Sequence, residues 1–151
     1  MEKSSMKLLV INGPNLNMLG IREPELYGKG TYQDLVNYIS DVCKRESIDV
    51  SFFQSNHEGE LIDVIQKAYG TADAIVINPA GYTHTSVALL DALLTVQLPA
   101  VEVHLTSIHN REEFRKISYV SKACLAQIEG KGFAGYEEAV LLLKNIVVNR
   151  E

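Results

Sequence analysis

The chain is poor in the features that mark several broad protein classes. It has two cysteines, Cys43 and Cys124, among 151 residues. They form neither a C-x-x-C pair nor a disulfide framework, so they read as reduced thiols of the cytoplasm. Its four histidines make no His-Glu-x-x-His and no His/Cys ligand pair, which argues against zinc; no metal is expected. There is no G-x-S-x-G elbow and no Walker A run, which weighs against a serine hydrolase or a P-loop enzyme. Basic residues are outnumbered, 14 Lys and Arg against 19 Asp and Glu, giving a net charge of -5 and a pI near 5.4. Broad nucleic-acid or anionic-membrane binding is therefore disfavoured, although a few local arginines can still hold a small anion. No apolar run approaches a membrane span, and Met1–Met6 lacks the core of a signal peptide. The expected compartment is the cytoplasm.

What remains is an ordinary core-forming composition, 46% hydrophobic and 22% charged. It suits one domain spanning 1–151, with residues 1–6 expected as a disordered tail. Short apolar runs ended by turn residues predict parallel strands at Lys7–Asn12, Asp49–Gln54, Ala74–Asn78, Ala100–His104 and Cys124–Glu129. Helical spacing connects them. Thr31 is the expected N-cap of a helix carrying Leu35, Ile39, Val42 and Cys43. Leu61, Ile62, Ile65 and Ala68 mark a second helix, Ser86–Val96 a third and Glu137–Val148 a last. Alternating strands and helices predict an α/β three-layer sandwich of flavodoxin-like type. Its five-stranded parallel sheet is expected in the order 2-1-3-4-5. Residues 13–30 form a long glycine- and proline-containing loop, expected to act as a lid over a site.

The polar residues gather after three strands: Asn12 and Asn15, then Asn78 to Ser86, then His104 to Arg115. In the predicted order these strands are neighbours, and open α/β sheets bind ligands outside the carboxyl ends of their strands. His104 is the centre of that cluster, and His84 ends the adjacent strand's turn. Asn12, Asn15 and Asn78 also fit a simpler role, closing turns through their side chains. Thr83, Thr85 and Ser86 fit a helix N-cap. His57 and His109 are left as structural or exposed residues. Gly130–Gly135 matches G-x-G-x-x-G formally, but only one helix follows it, without the second strand and acidic residue a dinucleotide site needs. It reads as a turn. On pattern alone, two readings stay open: an enzyme, or a binding module for a small polyol or nucleotide.

The stretches Asn12-Gly-Pro-Asn-Leu-Asn, Leu19-Gly-Ile-Arg-Glu-Pro, Tyr27-Gly, Gln54-Ser-Asn, Asn78-Pro-Ala-Gly-Tyr-Thr-His-Thr-Ser, Glu102-Val-His-Leu and His109-Asn-Arg-Glu-Glu-Phe-Arg together resemble the type II 3-dehydroquinate dehydratases. They occur in family order along nearly the whole chain. The resemblance implies dehydration of 3-dehydroquinate to 3-dehydroshikimate through an enolate, without metal, cofactor or Schiff base. It implies Tyr27 as the base, with Arg22 beside it on the lid and Asn15 orienting a water at the enolate. His104 would be the acid, held by Glu102. The substrate carboxylate would rest on the amides of Leu105 and Thr106, and Asn78, His84 and Arg115 would hold hydroxyls. Asp91 would reach a neighbouring subunit's site, because the family assembles trimers into dodecamers. Two departures stand out: Thr106-Ser107 in place of the commoner Ser-Asn, and Leu90 where relatives often carry Arg.

Overall fold

A computed structural model describes residues 5–21 and 30–150. The strands are β1 (Lys7–Asn12), β2 (Asp49–Gln54), β3 (Ala74–Asn78), β4 (Ala100–His104) and β5 (Ala126–Glu129). They form one parallel sheet in the order β2-β1-β3-β4-β5. The helices are α1 (Tyr32–Arg45), α2 (Glu58–Ala68), α3 (Val87–Val96) and α4 (Ala134–Val148). The sheet order and layering are those the pattern predicted.

Strand alternation sends successive side chains to opposite faces. Leu8, Val10, Val76, Val101 and Val103 pack under α1 and α4, against residues such as Ile39 and Val140. Leu9, Ile11, Ile75, Ile77 and Ala100 pack under α2 and α3, against residues such as Ile65 and Leu89. Local chemistry fixes where the helices begin. Thr31 accepts a bond from the Asp34 amide, and the Asp34 carboxylate returns one from the Thr31 amide, a complete capping box. Ser86 caps α3 by accepting from the Leu89 amide.

Three boundaries differ from expectation. Met6 is buried in the core and its carbonyl accepts the Asp49 amide, so it belongs to the fold rather than to a loose tail. Strand β5 starts at Ala126, since Cys124 still closes the preceding 3-10 turn by donating to the Ser121 carbonyl, and only from Leu125 on does the chain bond to β4. Helix α4 starts at Ala134, three residues before the first acidic residue that suggested its start. Its Gly135 lets the first turn sit close on the sheet: a Cβ there would lie 3.3 Å from Ile128 Cγ2. Between β4 and β5 there is no α-helix but three short 3-10 turns, Ile108–Asn110, Glu113–Arg115 and Val120–Ala123. That stretch is polar and lacks a sustained apolar repeat, so it forms no helix; its last turn packs Val120 into the core on the α2/α3 face. No helix among the described residues is long and apolar enough to cross a membrane.

Candidate active site

The strand register brings Asn12, Gln54 and Asn78 level with one another at the carboxyl edge of the sheet. His104 of β4 stands opposite Glu129 of β5 at the same edge. The loops leaving β1 and β3 touch: the Gly13 amide donates to the Asn78 carbonyl at 2.8 Å. A Cβ on Gly13 would sit 2.5 Å from the Pro79 carbonyl oxygen, so glycine is required there by close backbone approach. The end of β2 braces both loops. Gln54 Nε2 donates to the Gly13 carbonyl, Asn56 Oδ1 accepts the Asn15 amide, and the Tyr82 hydroxyl donates to the Asn56 carbonyl. Asn15 adopts a left-handed φ of 71°, a conformation asparagine tolerates.

A cavity of about 220 Å³ opens over these ends. Asn15 and Asn78 line it from the β1 and β3 ends, and His84 from the Ala80–His84 turn. His104, Leu105 and Thr106 line it from β4 and the residues after it. Arg111 and Arg115 close its side from the β4–β5 connection. Seven residues expected in the site from sequence thus meet around one volume. Glu102 stands behind His104 rather than at the cavity wall. Asp91 does not line this cavity; it is exposed on α3, and its carbonyl accepts the Thr95 hydroxyl. Tyr27 and Arg22, expected on the lid, lie outside the described residues. The near part of that loop is folded: Leu16–Met18 makes a 3-10 turn, and Leu16 and Leu19 enter the core.

Two buried polar networks underlie the cavity, one on each face of the sheet. On the α1/α4 face, the Tyr136 hydroxyl donates to Asn12 Oδ1 at 2.6 Å and accepts from Asn78 Nδ2 at 3.0 Å. Asn78 Oδ1 accepts the Ala80 amide. Ala80 itself has a left-handed φ of 53°, unusual for alanine, and this bond helps hold it there. Burial pushes the Tyr136 phenol above its usual pKa, with the bond from Asn78 opposing, so it stays a neutral hydroxyl. Asn78, expected to bind a substrate hydroxyl, lines the cavity; its nitrogen donates one of its two N–H groups to Tyr136 and its oxygen accepts from the turn, so it also shapes the cavity floor.

On the α2/α3 face, Glu102 is fully buried and His104 is 5% exposed. His104 Nε2 bonds Glu102 Oε2, which leaves Nδ1 as the ring's other nitrogen. A buried carboxylate is costly unless donors surround it. Ser118 Oγ lies 2.9 and 2.8 Å from its two oxygens, and Gln127 Nε2 donates to Oε2 at 3.1 Å. Neither Ser118 nor Gln127 carried any local sequence signal. Arg111 did, as one of the ionisable residues after β4, but had no assigned role.

His84 Nδ1 lies 2.7 Å from the Ile117 carbonyl. A carbonyl only accepts, so Nδ1 carries the proton and Nε2 of the neutral ring is an acceptor. Burial holds its pKa below the usual histidine range, reinforced by His104 and Arg115 and opposed by the carbonyl bond and Glu102. Arg115 is oriented by Glu112, whose carboxylate accepts Nε–H at 2.7 Å. His109, set aside on sequence, pairs with Glu129, which also holds Ser107 Oγ and the Ile108 amide. That carboxylate anchors the loop at the cavity's edge. The glycine run supports the same edge: the Gly130 and Gly132 amides donate to the carbonyls of His104 and Leu105. Both amides are thus engaged by the end of β4. No three His, Cys, Asp or Glu among the described residues are grouped so as to hold a metal ion.

Residues 6–144 match the family Dehydroquinase class II. The chain is 52% identical over 142 residues to a protein of Clostridium acetobutylicum named 3-dehydroquinate dehydratase, covering 94% of this chain and 99% of that one. It is 53% identical over 133 residues to a catabolic 3-dehydroquinase of Talaromyces marneffei, covering 88% of this chain and 76% of that one. In structure it is similar to the type II dehydroquinase of Butyrivibrio crossotus. The TM-score is 0.92 at 51% identity, over 94% of this chain and 99% of the other.

Proposed function

The chain belongs to the class II dehydroquinase family, and from that premise we propose that it dehydrates 3-dehydroquinate to 3-dehydroshikimate through an enolate. The reaction belongs to aromatic biosynthesis or to quinate breakdown. The observation that carries the reading is His104, backed by buried Glu102, at the wall of a cavity that His84, Arg111 and Arg115 also line.

Tyr27, as phenolate, takes the C2 proton, and the electron pair moves onto the C3 carbonyl oxygen as an enolate. A tyrosine has a reference pKa of about 10, so Arg22 on the same lid is the group that lowers it. Asn15 orients a water that stabilises the enolate oxygen. The enolate then collapses, the C1–C2 double bond forms and the C1 hydroxyl leaves. His104, protonated on both nitrogens and held at Nε2 by Glu102, gives up its other proton, so water departs rather than hydroxide. Neutral His84 accepts a substrate hydroxyl at Nε2, Arg115 donates to another, and the amides of Leu105 and Thr106 hold the carboxylate. No metal or cofactor is required, and the reaction takes place in the cytoplasm. Asp91 completes a neighbouring copy's site in a closed homo-oligomer of trimers, twelve chains in all. The exposure of Asp91, Val87 and Leu94 on α3 supports a contact face there. Light scattering tests that assembly, and a purely monomeric active enzyme overturns it.

The test of the activity is the appearance of enone absorbance when purified protein meets 3-dehydroquinate. Tyr27→Phe is expected to lower kcat by about 10²–10⁴-fold with little change in KM. Wild-type protein that produces no enone rejects the reaction. A Tyr27→Phe enzyme that keeps more than about a tenth of kcat rejects Tyr27 as the base.

A further inference from the structure

Residues 117 and 118 serve both imidazoles of the cavity. The Ile117 carbonyl takes the His84 Nδ1–H, and the next residue's hydroxyl lies against both oxygens of Glu102, the partner of His104. The segment is clamped in place, since the Tyr119 amide donates to the Thr83 carbonyl at 3.0 Å.

The direction of the Ser118 hydroxyl is also set. Its oxygen accepts the Ser121 amide at 3.3 Å, so its own proton is left to point at the carboxylate. Glu102 then has three donors, from Ser118, Gln127 and His104, and no solvent. Donors that favour the ionised carboxylate reduce its appetite for the proton it shares with His104. The shared proton therefore stays on Nε2, and the weaker pull of Glu102 leaves the imidazolium readier to give up its other proton, at Nδ1.

We propose that Ser118, supported by Gln127, is a positioning residue that sets the proton affinity of His104 through Glu102. This rests on the dehydratase reading only in giving His104 a proton to deliver. Without the Ser118 donor, Glu102 becomes the stronger base, stabilises the imidazolium more and so holds back release of the Nδ1 proton. Among the described residues, the other titratable or charged groups near the pair are His84, Arg111 and Arg115 across the cavity, Cys124 beside Glu102, and Glu129, paired with His109, opposite His104 on β5. Burial first, and the Glu102 charge second, push the Cys124 thiol up to about 12, so it stays neutral through the range concerned.

The experiment follows the imidazole proton directly. His104 is titrated by nitrogen-15 NMR in wild type, Ser118→Ala, Ser118→Thr and Gln127→Leu, with the resonance assigned from a His104→Asn variant. Ser118→Ala is expected to raise the His104 titration by roughly one pH unit, what one hydrogen bond to a charged group is worth. Gln127→Leu, on the edge strand, shifts it the same way and stands in if Ser118→Ala does not fold. Ser118→Thr keeps the hydroxyl and restores the wild-type value. In turnover, the basic limb of kcat moves upward with the titration, and kcat falls about tenfold at nearly constant KM. Loss of kcat with an unmoved His104 titration overturns the proposal, because it leaves Ser118 only a structural role. So does an unmoved titration in folded Gln127→Leu and Ser118→Ala proteins. If wild-type protein makes no enone, the proposed reaction falls, while the titration still decides the role of Ser118.

Discussion

The two polar networks at the carboxyl edge of the sheet use similar means to opposite ends. On the α1/α4 face, Asn12, Tyr136 and Asn78 bond one another and the Ala80 amide. On the α2/α3 face, Glu102 is enclosed by Ser118, Gln127 and His104, while His104 itself lines the cavity and keeps one ring nitrogen out of the bond to Glu102. The first network contains only neutral groups and is sealed. The second contains a charge and is left open at one atom. A polar core cluster therefore does not by itself mark chemistry; the distinguishing feature is a proton-carrying group left over after the internal bonds are made.

The largest effect that separates the two is on turnover. His104→Asn is expected to lower kcat by about 10²–10⁴-fold, with some loss of thermal stability besides, because buried Glu102 loses one of its three donors. Steady-state kinetics beside calorimetry check this, and comparable kcat in the two proteins removes the distinction. Next comes Tyr136→Phe, which leaves Asn12 Oδ1 and Asn78 Nδ2 short of a partner at a buried site. Its expected cost is about 2–4 kcal/mol of stability, from two unsatisfied groups. Urea denaturation measures it, and a midpoint equal to wild type means that the sealed network contributes nothing.

A smaller effect concerns His84. Its folded pKa is depressed, chiefly by burial, so below the unfolded value of about 6.5 the unfolded chain binds the proton more readily. Stability from this group is whole above about pH 6.5 and is lost as pH falls toward the lower folded pKa. His84→Gln should lose that part of the acid decline in urea midpoint, and parallel curves for the two proteins contradict the assignment. The smallest expected effect is a control inside the glycine run. Lys131 makes an exposed ion pair with Glu138, so Lys131→Ala should change stability by no more than about 1 kcal/mol. It should leave kcat alone, and calorimetry should detect no NAD binding to either protein.

Much of this arrangement was legible from sequence because it is local. Strand runs, the Thr31 and Ser86 caps, and the level ends of β1, β3 and β4 follow from period, turn residues and the ordering rules of parallel sheets. The bland reading of Asn78 was partly right, since its side chain does close the turn at Ala80. What escaped is what depends on distant pairing. Ser118 and Gln127 meet Glu102 across 16 and 25 residues, and Tyr136 reaches Asn12 across 124. No period or motif carries such information; only the packed sheet brings those atoms together. Helix α4 began earlier than its acidic residue suggested because Gly135 answers to a contact with Ile128, which is likewise nonlocal.

The bond from Tyr136 to Asn12 also has a meaning in time. The ribosome makes Asn12 early and Tyr136 late, and the hydroxyl that joins the β1 and β3 ends sits in the final helix. A nascent chain that has emerged only as far as β5 already holds His104, Glu102 and Ser118, yet the amides of Asn12 and Asn78 still lack the group that ties them together. Since Val101 and Val103 of the strand that carries Glu102 and His104 also pack under α4, a chain stalled short of that helix has made the reactive histidine but lacks both the packing behind its strand and the surface that shapes its cavity.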